Sequence, residues 1–145
     1  MPIRIDVEGW PIALHESAGV MTDAEIDAYV TRATSLLEQR ELHAVIIDAR
    51  TITDVSPYAR AAKKAWLEDN RELLERYCVG TAVVLDSAVS RFVFATILLV
   101  QPFPVPYRAF ASVEEARVWA QSQLEARREV EAVAVPAPVP AVQRR

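Results

Sequence analysis

The chain has 145 residues, a net charge of −4, 52% hydrophobic and 25% charged residues. This length fits a single domain with its own core, and the absence of a basic stripe argues against nucleic acid as a partner. The longest apolar run, residues 92–100, is about half of what a transmembrane helix needs. With one cysteine and no apolar leader region, a cytoplasmic location is expected.

The first half of the chain predicts a hairpin, a helix and a buried strand. Residues 2–7 alternate in hydrophobicity and residues 11–15 form a second short strand after a turn. Thr22 and Glu25 have capping-box spacing at the start of a helix that runs to about Arg40. Residues 42–48 are apolar and β-branched, which is typical of a strand buried on both faces.

The second half continues the alternation of helices and strands. Ser56 and Pro57 suit the N-cap and first position of a helix to about Arg76. The remaining predicted elements are a buried strand at 78–86, a helix at 88–100 capped by Asp86 or Ser87, a short strand within 104–111, and a helix from Ser112 and Glu115 to about Glu129. The single cysteine, Cys78, is predicted to be a buried, unreactive filler of its strand.

This order, β-β-α-β-α-β-α-β-α, predicts an α/β fold with a mixed five-stranded sheet and four helices. Strands joined through helices lie parallel, and the initial hairpin adds an antiparallel edge. The domain is predicted to cover 1–129. Residues 130–145 are rich in Pro, Ala and Val and are predicted to form a flexible tail.

Motifs for catalysis and cofactor binding are not found. No His/Cys cluster has metal-ligand spacing, and none of the three glycines belongs to a phosphate-binding loop or a nucleophile elbow. We therefore expect no metal, no cofactor and no enzymatic activity, with a weaker third hypothesis of an enzyme that uses Asp48, Asp54 or His43.

A group of polar residues follows the predicted strand 42–48. Asp48 and Arg50 are spaced for a local ion pair, whereas Asp54 is compatible with a plain loop role. Open α/β sheets place their sites at this end of the strands. Ser56 is expected to cap the next helix, and the same position suits a phosphate, since the helix dipole and Arg60 would stabilise the added charge.

Two helices carry more apolar surface than one core face requires. In helix 88–100, Phe94 and Leu98 project away from the main apolar stripe, near Arg91; in helix 57–76, Leu67 lies off the main stripe. Neighbouring helices on the same face of the sheet would explain this surface. A protein partner, a homodimer contact or an apolar ligand would explain it equally.

The pattern resembles the STAS-like family of bacterial anti-sigma-factor antagonists, in particular an uncharacterised branch grouped with lipid-binding CRAL-TRIO domains. The resemblance covers residues 1 to about 128. It rests on the initial hairpin and on four segments: AVIIDAR (44–50), TDVSPYA (53–59), TAVVLD (81–86) and FASVEEARVWA (110–120).

The resemblance implies a regulatory site on the loop before the second helix. Classical antagonists present Asp-Ser-Ser-Gly there, and an anti-sigma kinase phosphorylates the second serine. Asp54 and Ser56 match that motif, whereas Val55 and Pro57 depart from it. Pro57 removes an amide and stiffens the loop, so phosphorylation of Ser56 is a hypothesis.

The sequence thus supports two main functional hypotheses. The first is a non-enzymatic regulatory or adaptor domain that binds a protein, either a regulatory partner or a second copy. The candidate contact residues are Asp54, Ser56, Arg60, Leu67, Arg91, Phe94 and Leu98. The alternative is a carrier or sensor of an apolar small molecule or lipid, held against helix 88–100.

Overall fold

The computed structural model describes residues 3–52, 55–100 and 103–134. Within these ranges the chain forms one sheet of five strands, covered by five helices. The strands are β1 (Arg4–Asp6), β2 (Ile12–Gly19), β3 (His43–Ile52), β4 (Cys78–Val84) and β5 (Tyr107–Phe110). The helices are α1 (Asp23–Leu37), α2 (Pro57–Asp69), α3 (Arg71–Tyr77), α4 (Ala88–Val100) and α5 (Val113–Ala134).

The sheet has the mixed topology that the sequence predicts. Its strand order is β1-β2-β3-β4-β5; β1 pairs antiparallel with β2, and every later pair is parallel. Because right-handed crossovers advance in one direction across the sheet, α1, α2, α3 and α4 belong to one face. Helix α5 packs on the opposite face, against β3 and β4.

The two faces of the sheet carry separate clusters of buried side chains. Ala44 and Ile46 of β3 contact the α5 side, where Leu124 is fully buried. On the helical face, Leu37 and Cys78 belong to the cluster beneath α1, α2 and α3. The central strands are therefore buried on both sides, as their continuous apolar sequence indicates. Truncating a residue such as Leu124 to Ala would remove about 2–5 kcal/mol of stability.

The predicted helix starts are confirmed at the level of single hydrogen bonds. Thr22 and Glu25 form both bonds of a capping box at the start of α1. The Ser87 Oγ accepts from the N–H of Ser90, and the Ser112 Oγ accepts from the N–H of Glu115. Each cap satisfies an amide that would lack an intrahelical partner.

Two helix predictions are corrected. The single helix expected over 57–76 is broken at Asn70, whose side-chain amide donates to the carbonyl of Trp66 at 2.9 Å and whose φ of −114° leaves the helical range. The described residues thus contain five helices rather than four. Helix α5 continues to Ala134, so 130–134 are helical and not tail; residues 135–145 lie outside the described ranges.

No helix in the described part of the chain is both long and apolar enough to cross a bilayer. The described His, Cys, Asp and Glu side chains likewise form no group of three that could hold a metal ion.

Candidate functional site

The carboxyl end of β3 carries the predicted ion pair. The Arg50 Nε donates to Asp48 Oδ1 at 2.9 Å, and Nη2 donates to Oδ2 at 2.8 Å. This bidentate hydrogen bond holds the pKa of Asp48 below its ordinary value. The two charges neutralise each other at the surface, so the pair supplies no free acid or base.

Ser56 is the N-cap of α2, as predicted. Its Oγ accepts a hydrogen bond of 3.1 Å from the N–H of Ala59, its backbone is extended, and Pro57 occupies the first turn. Ser56 is half-buried and Arg60, one turn on, is exposed. Asp54, the other residue that matches the antagonist motif, lies outside the described ranges.

The start of α2 is tied to α1 by an acidic residue. The hydroxyl of Tyr58 donates to Asp27 Oδ1 at 2.5 Å, and this bond raises the pKa of Tyr58. Asp23 acts on the same hydroxyl. Two carboxylates thus act on Tyr58, two residues after Ser56, and Arg60, one turn after Ser56, is exposed.

Helix α4 presents a different apolar surface from the one predicted. The ring of Phe94 is half-buried and lies 6.2 Å from the ring of Phe103 and 6.5 Å from that of Tyr107, between ring centroids. The outward side chains are Val89, 74% exposed, and Phe92, 73% exposed. Residues 92 and 94 lie about 200° apart on a helix, so packing Phe94 inward turns Phe92 to the solvent.

Three further candidate contact residues differ in how the structure places them. Leu67 is only 7% exposed and packs with Leu37 and Leu74 in the core, so it is not part of an accessible surface. Arg91 is exposed, and its Nη2 donates to the carbonyl of Leu85 at 3.4 Å. The side chain of Leu98 lies outside the described part of the chain.

A cavity that the sequence did not indicate lies on the helical face of the sheet. Its volume is about 50 Å³. Most of its wall is apolar and comes from α1, α2, α3, β3 and the segment before β5; the polar lining residues are His15, Tyr29, Lys63, Cys78 and Thr81. A carrier of a lipid needs a chamber of several hundred Å³, so this cavity suits a much smaller occupant.

Lys63 places a cation in the wall of this cavity. The residue as a whole is partly exposed, and burial of the ammonium lowers its pKa to about 8. Its Nζ lies 6.0 Å from the ring centroid of Tyr29 and 5.8 Å from that of Phe103. The sequence analysis did not predict a functional role for Lys63. The available signal was its position four residues from buried Ala59 and four from buried Leu67, which puts all three on one helical face.

The other polar groups of the cavity have partners. Tyr29 Oη and His15 Nδ1 share a hydrogen bond of 2.5 Å, and burial lowers the pKa of His15 to about 3. Burial also raises the pKa of the Cys78 thiol to about 11, and that thiol donates to the carbonyl of Gly80 at 3.5 Å. The imidazole and the thiol are therefore both neutral near pH 7, as predicted for Cys78.

Comparison by sequence finds no matching protein-family model and no similar protein of established function. Comparison by structure finds two informative neighbours. An uncharacterised protein of the DUF3478 family with a SpoIIAA-like fold, from Shewanella loihica PV-4, superposes with a TM-score of 0.61 at 13% identity, over 81% of this chain and 91% of that one. An anti-sigma factor antagonist from Mycobacterium paratuberculosis gives a TM-score of 0.53 at 9% identity, over 82% and 92%.

At these identities the likeness concerns the fold alone. The chain therefore has a STAS-like, SpoIIAA-like fold.

Proposed function

We propose that this protein is a non-enzymatic regulatory or adaptor domain that acts by binding another protein, and that phosphorylation of Ser56 switches this binding. The observation that carries the proposal is the pair of large apolar side chains, Val89 and Phe92, exposed on α4 at 74% and 73%. The antagonist among the structural neighbours is described as acting against an anti-sigma factor, which supports a protein partner for this fold.

The exposed face of α4 has the geometry of a helix that docks in a groove. Val89 and Phe92 are three residues apart and lie on the same side of the helix, with Ala95 and Thr96 exposed on the following turn. A groove that binds such a helix contacts apolar side chains at this spacing. An exposed phenylalanine beside an exposed valine is an unfavourable use of surface unless something covers it.

Ser56 and the start of α4 lie at the same end of the sheet, the carboxyl end of the parallel strands. Strands β3 and β4 are parallel neighbours, so the chain leaves both at one end, into the loop that leads to Ser56 and into the Ser87 cap of α4. Arg60 and Arg91 are exposed on the two helices that follow. A phosphate on Ser56 would add up to two negative charges at this end of the sheet, where these cations lie.

The apolar part of the proposal is tested by retention of partners from a lysate of the native host. Immobilised wild-type protein is compared with Phe92→Asp and with Val118→Asp, which alters a side chain of equal exposure, 73%, on α5 across the sheet. A specific protein retained by the wild type and by Val118→Asp, but lost with Phe92→Asp, supports the proposal. Equal retention by all three rejects α4 as the contact surface.

The switch is tested in the same assay with Ser56→Asp and Ser56→Asn. Both side chains cap a helix well, so a difference between them reports the charge and not the cap. Phosphate on Ser56 in the host, together with a partner whose recovery differs between these variants, supports the switch. Absence of phosphate and identical recovery reject it. A lipid-like mass in the eluate without any protein would favour the carrier hypothesis instead.

A further inference from the structure

The cavity beneath α2 contains a cation without a counter-ion. Among the described residues no carboxylate forms an ion pair with Lys63, and no acceptor forms a hydrogen bond with its Nζ. Its aromatic partners in the described ranges are the ring faces of Tyr29 and Phe103. A buried ammonium that lacks an anion is unfavourable unless a ligand completes the site.

The remaining wall restricts what that ligand can be. The thiol of Cys78 donates to the carbonyl of Gly80, and the His15 imidazole forms a hydrogen bond with Tyr29. Among the described residues that line the cavity, the Lys63 ammonium is therefore the only charged group. A phosphate or another dianion would need several donors. The rest of the lining, which includes Val45 and Leu67, is apolar.

The volume sets the size of the ligand. The cavity holds about 50 Å³, and one water needs roughly 10–15 Å³ of such space. An occupant equivalent to roughly three to five waters is therefore expected. A carboxylate with a short aliphatic chain has this size, a single negative charge at one end, and an apolar remainder.

We propose that this cavity is a binding site for a short-chain monocarboxylate, whose carboxylate pairs with the ammonium of Lys63 and whose aliphatic chain contacts the apolar wall. The site lies under α2 and not on the exposed face of α4. It stands apart from the proposed protein-binding function, so either proposal can fail without the other.

The test uses sodium butyrate, with sodium chloride at equal ionic strength and butyramide as references. Titration is followed by calorimetry and by the thermal unfolding midpoint of the full chain. Saturable binding of butyrate, with butyramide and chloride weaker by roughly tenfold or more, is expected because each lacks either the charge or the chain. Binding of all three to the same extent overturns the proposal, as does the absence of saturable binding.

Two variants on the same helix locate the site. Lys63→Met keeps the length of the side chain and removes the charge, whereas Lys64→Met makes the same change at an exposed neighbour. Affinity for butyrate is expected to fall roughly tenfold or more in Lys63→Met and to stay within about twofold in Lys64→Met. Equal affinity in both variants places the carboxylate elsewhere and overturns the assignment.

A measurement on the wild-type protein covers the case in which Lys63→Met does not fold. Nuclear Overhauser effects are recorded between the butyrate methyl protons and the ring protons of Tyr29 and Phe103, whose rings flank Nζ. Contacts to these rings support the site. A bound butyrate with contacts only to other rings overturns it.

Discussion

The hydroxyl of Tyr29 and Nδ1 of His15 lie 2.5 Å apart and form a part-buried hydrogen bond between α1 and β2. The imidazole is 7% exposed and the cations Lys63 and Arg32 act on it, so its pKa falls to about 3. Folding therefore fixes His15 in its neutral form, and this has a consequence for stability in mild acid.

We expect the free energy of unfolding to fall between pH 7 and pH 5. The unfolded chain takes up a proton at His15 near its ordinary pKa of 6.5, while the folded protein does so only near 3. The unfolded state binds more protons as the pH falls, which lowers stability by about 2 kcal/mol over this interval. His43, whose pKa burial also lowers, acts in the same direction.

Urea unfolding at both pH values, for wild type and His15→Gln, measures this contribution. The variant is less stable at pH 7 but loses the part of the pH dependence that belongs to position 15. Asp48, whose pKa is already below 3.8, is ionised throughout this interval and does not interfere. Identical pH dependence in the two proteins would show that His15 does not carry the effect.

Removing the charge of Lys63 is expected to stabilise the protein without ligand. Lys63→Met replaces an unpaired ammonium by an apolar group of similar length, and at pH 7 we expect an increase of about 1–2 kcal/mol in the free energy of unfolding. Lys64→Met, on the exposed side of α2, should change it by less than about 0.5 kcal/mol.

The advantage of Lys63→Met should shrink in alkali. The folded pKa of Lys63 is lowered from 10.5 to about 8, so between these values the unfolded wild type binds more protons and wild-type stability rises with pH. The neighbouring Cys78 and Tyr29 have raised pKa values, which lower stability as the pH rises. Wild type and Lys63→Met both contain these residues, so their effect is common to the two. A stability difference that is the same at pH 7 and pH 9.5 would contradict the assigned burial of the ammonium.

Local rules predicted the starts of the helices well, whereas they did not predict the break in the helix expected over 57–76. The caps at Thr22, Ser56 and Ser112 follow from neighbouring residues alone, and so the helix starts could be read from sequence. The break at Asn70 could not be read from sequence, because no Gly or Pro marks it. The helix ends there because the side-chain amide of Asn70 donates to the Trp66 carbonyl.

The candidate sites show the same division. Periodicity separates Phe92 from Phe94 on α4, but it does not say which one faces the protein; that depends on Phe103 and Tyr107, which follow α4 in the chain. The cavity around Lys63 is formed by elements distant in sequence. A lysine on a helix is usually solvated, and only the tertiary arrangement places this one inside.

Gly80 of β4 is expected to resist substitution because of one aromatic ring. A Cβ at this position would lie 2.8 Å from Cη2 and 3.2 Å from Cζ3 of Trp119, whose ring packs beside Phe110 on the α5 face. Gly80→Ala should therefore lower the free energy of unfolding by about 1–3 kcal/mol. Combining Gly80→Ala with Trp119→Leu should recover part of that loss, because the ring atoms that the new Cβ would contact are then removed.

Gly19→Ala provides the contrast, because a Cβ there meets no atom within 4 Å but the backbone has a φ of +65°. Its loss should be about 1 kcal/mol and independent of Trp119. Thermal or urea unfolding of the single and double variants distinguishes a steric loss at Gly80 from a backbone loss at Gly19. A Gly80→Ala loss that is unchanged by Trp119→Leu would rule out the steric account.

Ser56 has a structural role whatever its regulation, and the two can be separated by stability. The Oγ of Ser56 accepts from the N–H of Ala59 at 3.1 Å, so Ser56→Ala should cost about 1 kcal/mol in the free energy of unfolding. Ser56→Asn keeps a capping oxygen and should stay within about 0.5 kcal/mol of the wild type. Ser56→Asp adds a negative charge that the helix dipole attracts and that Asp23 and Asp27, the carboxylates that act on the hydroxyl of Tyr58 two residues on, repel.

We therefore expect Ser56→Asp to be no more stable than Ser56→Asn at low salt, and to gain relative to it as salt screens the repulsion. Urea unfolding of the three variants at two salt concentrations measures this balance. An aspartate more stable than asparagine at low salt would mean that the dipole and Arg60 dominate, so that a phosphate would be held against α2. A destabilised aspartate would mean that a phosphate is pushed outward, where a partner can contact it directly.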